Sequence, residues 1–126
     1  MSTLKVNNLQ NIGGTDLLAP LQSGSAKAWV NVNGGEGVPA GNNLSINDSF
    51  NVSSVTDNGT GDYSMNFTTA MSDSNYCVVS SGSESGVGGV ARFISGDGNT
   101  TSAAVCLTFN STTKTDYSFC SFAVFS

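Results

Sequence analysis

The sequence predicts an all-β fold: an antiparallel β-sandwich, jelly-roll-like, with an extended N-terminal arm. Three observations lead there. Apolar residues recur at every second position in several short runs, and helical spacing appears nowhere over a useful length. Clusters of Gly, Ser, Asn and Asp separate the runs. About eight such runs fit in the chain, the number that two packed sheets or a jelly roll require. With 126 residues, the chain has the length of one domain plus a short arm.

The arm covers residues 1–25. Leu4, Val6, Leu9, Ile12, Leu17 and Leu18 are among its apolar points, which show no persistent period. Leu4 and Val6 alternate as a short strand does, and Asp16-Leu17-Leu18 suits a helical turn that Pro20 stops. The arm is too apolar for a free tail and too broken for a domain, so it is expected to pack on a partner protein or on sister copies of the chain, with these six residues as the docking contacts.

The domain is expected over 26–126. Ala26, Ala28, Val30 and Val32 alternate with Lys27, Trp29, Asn31 and Asn33, which reads as a strand with one polar face. Trp29 lies on that polar face, which suggests a rim or interface. Packing is its expected role, with stacking on a sugar ring as the alternative. A loop rich in Gly follows, from Gly34 to Gly41, and then Leu44 to Ile46. Phe50, Val52 and Val55 change parity at Ser53-Ser54, the signature of a β-bulge. Asp57-Asn-Gly-Thr-Gly-Asp62 is a turn, and Tyr63, Met65 and Phe67 resume the alternation, so a hairpin is expected around Asn58-Gly59. Further strands are read at Tyr76 to Ser80, Val90 to Ser95, Ala103 to Asn110 and Tyr117 to Ser126. The last is apolar on both parities, as in a central strand or an interface. Phe119, Phe122 and Phe125 are its candidate oligomer contacts.

Composition narrows the function. Only 10% of residues are charged and there is no His, which removes the commonest general base and neutral metal ligand. No catalytic residue, cofactor or metal is expected. The Asp57 to Asp62 segment has the alternating oxygens of a calcium loop, but Thr68 stands where the bidentate Glu belongs. The carboxylates fall in turns, where Asp is common anyway. The basic residues Lys5, Lys27, Arg92 and Lys114 are scattered, which argues against nucleic acid. Membrane insertion is not expected either, since the apolar runs fall far short of the roughly 20 residues that span a bilayer. Cys77, Cys106 and Cys120 each sit in an alternating apolar run and are expected to be small buried hydrophobes. The Asn-x-Ser/Thr triplets reflect a chain rich in all three residues. Residues 1–13 lack a signal-peptide pattern, so synthesis in a cytoplasm without the usual export is expected, and a surface meant for the outside would leave by another route, of which cell lysis is one.

Three stretches resemble a known group: Ser2-Thr-Leu-Lys-Val6 with its continuation to Gly14, Lys27-Ala-Trp-Val-Asn31 within Ala26 to Asn33, and Asp48 to Met71 with its Ser-Ser-Val-Thr-Asp-Asn-Gly-Thr-Gly-Asp-Tyr core. They resemble small tail-fibre or virion-surface proteins of tailed phages of marine and freshwater bacteria. The resemblance implies a virion location and a homotrimer. It also implies an arm that docks on other particle proteins of the tail or baseplate, and a distal β domain that meets a host surface glycan or protein. On loop chemistry, Ser83, Glu84, Ser85, Asp97 and Asn99 are the candidate host contacts. A capsid decoration protein is the alternative reading, and a carbohydrate-active enzyme a third.

Overall fold

The computed structural model describes residues 24–83, 91–95 and 97–126, with backbone alone for 91–95. The six arm residues named above, together with Glu84 and Ser85, lie outside the described residues.

Nine strands follow in order: β1 Ala28–Val32, β2 Ile46–Phe50, β3 Val52–Gly59, β4 Asp62–Phe67, β5 Cys77–Ser83, β6 Ala91–Ser95, β7 Ala103–Asn110, β8 Thr113–Lys114 and β9 Phe119–Phe125. They form two antiparallel sheets, one in the order β2-β1-β9-β5 and one in the order β3-β4-β7-β6 with β8 on β7. This is the β-sandwich that the alternation predicts. One core lies between the sheets. The first contributes Ala28, Val30, Val32, Cys120, Phe122 and Val124, and the second Val55, Tyr63, Met65, Phe67, Ala104 and Cys106. The period of two puts every second side chain of β1, β4, β7 and β9 into this layer.

The chain passes between sheets at Asn51, in the left-handed region at φ 55°. Asn tolerates that conformation better than most residues because its amide bonds locally. Here the Asn51 amide donates to the carbonyls of Lys27 and Thr69 at 3.0 and 3.1 Å and accepts from the Thr69 N–H at 2.7 Å. The corner ties β1, β2 and the end of β4 together. Just beyond it, the β3–β4 register shifts between Val52 and Ser54, the bulge expected at Ser53-Ser54.

The β3–β4 hairpin closes two residues later than expected. Asn58 forms a second irregularity, and Gly59 pairs with Asp62, so Thr60-Gly61 makes the reversal. Buried Asp57 accepts the Gly59 N–H at 2.7 Å, and the Asn58 amide donates to Ser64 Oγ at 2.9 Å. These bonds hold Asn58-Gly59 within the ladder. Gly61 is then required on two counts. Its φ is +62°, and a Cβ there would stand 2.5 Å from the Thr108 carbonyl oxygen and 2.6 Å from the Thr115 nitrogen. Its N–H donates to Asp116 Oδ1 at 2.6 Å, and the Tyr63 hydroxyl donates to the same oxygen at 2.8 Å. Burial and the adjacent Asp116 push the Tyr63 phenol far above its ordinary range.

Two boundaries differ from expectation. β5 continues to Ser83, into the expected loop from Ser81, because it stays paired with β9 up to Phe119. The expected turn Asn110 to Lys114 contains the short strand β8, which folds back on β7.

Gly61→Ala is expected to lower stability by about 2–4 kcal/mol, combining a left-handed penalty with a clash against backbone. Gly37, at φ +74° with nothing within 4 Å of a built Cβ, carries the conformational penalty alone, about 1–2 kcal/mol. Urea denaturation of Gly61→Ala and Gly37→Ala checks the difference.

Candidate functional site

The outward face of the β2-β1-β9-β5 sheet carries the site. Pairing places Phe50 opposite Trp29, Trp29 opposite Ala123, and Ala123 opposite Val79. One residue from each of four strands thus forms a continuous apolar row. Phe50 is 55% exposed, Val79 46% and Trp29 36%. A parallel row lies two residues along: Asp48 opposite Asn31, Asn31 opposite Ser121, and Ser121 opposite Ser81. Apart from the Asp48 carboxylate at its end, it is built from an amide and hydroxyls. The Asn47 amide donates to Asn31 Oδ1 at 2.8 Å, and the Asn31 amide donates to Ser121 Oγ at 2.8 Å.

Between the walls the surface dips. β9 presents only Ser121 and Ala123 outward there, flanked by Trp29 on β1 and Val79 on β5. The result is an open trough of about 370 Å³ lined by these residues with Asn31 and Ser81. No charged side chain of the described residues lines it.

The expected oligomer contacts divide by parity. Phe119 is 54% exposed and Phe125 is half-buried on the outer face. Phe122 has the opposite parity: it is 2% exposed and packs in the core 6.2 Å from the Tyr63 ring. An oligomer contact through Phe122 is therefore ruled out by the pleat. The cysteines divide likewise. Cys106 and Cys120 are buried, but Cys77 is exposed, because its parity on the edge strand β5 faces outward beside Phe125. Burial pushes the Cys106 thiol up to about 12 and the Cys120 thiol up to about 11.

Of the expected host-contact residues, Ser83, Asp97 and Asn99 are described, and none of the three lines the trough. Ser83 is exposed at the end of β5, paired with Phe119, and Asp97 is exposed in a turn. Asn99 is half-buried and accepts the Val105 N–H at 3.0 Å, a bond that shapes its own turn. Trp29, for which packing was expected, instead forms a wall of the trough. Its polar-face neighbours Lys27 and Asn31 were the signal. Phe50, Val79 and Ala123 carried no signal, since the row exists only once four strands are in register.

Among the described residues, no group of three or more His, Cys, Asp or Glu side chains stands where it could hold a metal ion. The carboxylates of the Asp57 to Asp62 turn already have partners: Asp57 takes Gly59, and Asp62 pairs with Lys114. No described helix is long and apolar enough to cross a membrane. No family model, no curated protein and no solved structure matches the chain.

Two measurements check the parity assignments. Phe122→Ala is expected to cost about 3–5 kcal/mol as a core truncation, and Phe119→Ala within about 0.5 kcal/mol as a surface change. At neutral pH a thiol reagent should modify Cys77 in the native protein and reach Cys106 and Cys120 only after unfolding.

Proposed function

We propose that the chain is a structural protein of a tailed-phage particle: a short trimeric tail fibre whose N-terminal arm docks on the particle and whose β domain contacts the host cell surface. The observation that carries the reading is the open sheet face with its exposed apolar row. Isolated exposed apolar residues are ordinary, but a contiguous row across four strands marks a contact surface. Two of the three stretches that resemble phage particle proteins supply half of that face. Ala26 to Asn33 contains Trp29 and Asn31, and Asp48 to Met71 contains Asp48 and Phe50. The resemblance supports a particle role, and the face supports adhesion as that role.

The surface also suits such use. It is poor in charge and rich in amides and hydroxyls, so adhesion rests on weak polar and apolar contacts multiplied by copy number. Phe119, exposed at one end of β9, is the candidate contact between the three copies. The described residues of the trough include no paired acid and base, and incubation with polysaccharide is expected to leave chain length unchanged.

Labelled antibody against the chain should mark the tail of the intact particle. Even coverage of the head would replace this reading with a capsid decoration protein. Removal of residues 1–25 should leave a folded β domain that no longer assembles on particles. Unfolding of that variant would show that the arm belongs to the domain.

A further inference from the structure

We propose that the trough between Trp29 and Val79 is a saccharide subsite. One face of a neutral sugar ring stacks on the Trp29 indole, and its hydroxyls bond to the row formed by Asn31, Ser121 and Ser81. The inference deepens the adhesion reading above by naming the ligand class, and it rests on the open face being a contact surface.

The shape comes from side-chain size at four paired positions. Trp29 and Val79 stand two strands apart, about 10 Å at the usual strand spacing. Ala123 and Ser121 between them are too small to fill the gap. The volume of about 370 Å³ lies at the small end of small-molecule sites. It suits one or two sugar rings entering from the open side.

The chemistry is that of a sugar. A pyranose ring offers a patch of C–H groups on one face and hydroxyls around its rim. The C–H patch complements the electron-rich face of an indole. The hydroxyls need partners that both donate and accept, at the edge of the apolar patch. The sheet supplies this pair of surfaces in adjacent rows. The apolar row holds Trp29, Ala123 and Val79, and the row two residues along holds Asn31, Ser121 and Ser81.

The polar row is preorganised and has capacity left. Asn47 fixes the Asn31 amide, which in turn donates to Ser121 Oγ at 2.8 Å. With that oxygen accepting, the Ser121 hydroxyl hydrogen is turned to another acceptor. Among the described residues, the Trp29 indole N–H and the Ser81 hydroxyl make no hydrogen bond. Side chains already held in place lose little freedom when a ligand binds.

Charge selects against the alternatives. No cation of the described residues lines the trough; Lys27 lies two residues before Trp29, outside the trough lining, and Asp48 stands at the outer end of the polar row opposite Asn31. Phosphorylated, sulfated and sialylated ligands would find no counter-charge among the described residues of the trough itself. A second copy of the chain fits less well than a sugar, because amides and hydroxyls run through the middle of the face, where a copy–copy interface is at its most apolar.

Trp29 is the single Trp, so its emission reports occupancy of the trough directly. The full chain is titrated with cellotetraose, mannotetraose and galactotetraose, with a sialylated trisaccharide alongside, and ligand contacts are confirmed by saturation-transfer difference NMR. At least one neutral tetrasaccharide is expected to shift Trp29 emission saturably, and the sialylated probe to bind more weakly. By NMR, Trp29→Ala should weaken binding by about tenfold or more, and Asn31→Ala by about threefold or more. Trp29→Tyr should retain part of it. Absence of saturable binding by all three neutral probes overturns the proposal, as does binding unchanged in Trp29→Ala. So does loss of self-association in Trp29→Ala by sedimentation velocity, which would make the face a contact between copies. Particle labelling separates this from the wider reading: tail label without sugar binding removes only the subsite, and sugar binding by a chain that no particle carries removes the tail-fibre role.

Discussion

The arrangement depends on the pleat of β9. This strand is bonded on both sides, to β1 and to β5, and holds their sheet together. Its inward residues Cys120, Phe122 and Val124 pack the core, while Phe119, Ser121, Ala123 and Phe125 face out. A slip of one residue would exchange the two sets and bring Phe122 to the surface. The buried Phe122 resists that exchange, and its fixed register sets small Ser121 and Ala123 between Trp29 and Val79. Core packing on one side of the strand thereby determines the depth of the surface on the other.

Two polar devices keep the sheets in place around that strand. At one corner Asn51 takes the strain of the crossing from β2 to β3 and spends its amide on carbonyls from two directions. Elsewhere Asp116 gathers the Gly61 N–H and the Tyr63 hydroxyl, joining the β3–β4 hairpin to the segment before β9. Gly34, at the end of β1, leaves room for the same hydroxyl: a Cβ there would stand 2.6 Å from the Tyr63 oxygen. Each device gives partners to polar groups at a chain crossing, among them the hydroxyl of buried Tyr63, and each requires a specific small or amide residue.

How much of this was legible in the sequence depended on whether the signal was local. Alternation in Ala26 to Asn33 and in Tyr63 to Phe67 places those strands and their inward faces, and the parity break at Ser53-Ser54 places the bulge. The turn was placed two residues early, because Asn58-Gly59 has the favoured turn chemistry. What decides against it is a buried Asp57 and the remote Asp116, neither visible from local spacing. Phe119, Phe122 and Phe125 looked alike in a strand apolar on both sides; only pairing with β1 and β5 separates the inward ring from the outward two. The trough was legible to the extent of a lone Trp among polar neighbours of its own parity. Its remaining wall and floor come from strands about 50 and 90 positions away, and closing such distances is a property of the whole sheet.

Where β1 sits also has a mechanical meaning. It lies between β2 and β9, hydrogen-bonded to both along its length, and the residues before it lead back toward the arm. A pull on those residues along the strand axis would load both ladders in shear, so that many hydrogen bonds share the force and must fail together. A strand at the sheet edge would have only one such ladder to resist the same pull. A sandwich built this way is suited to staying folded under tension.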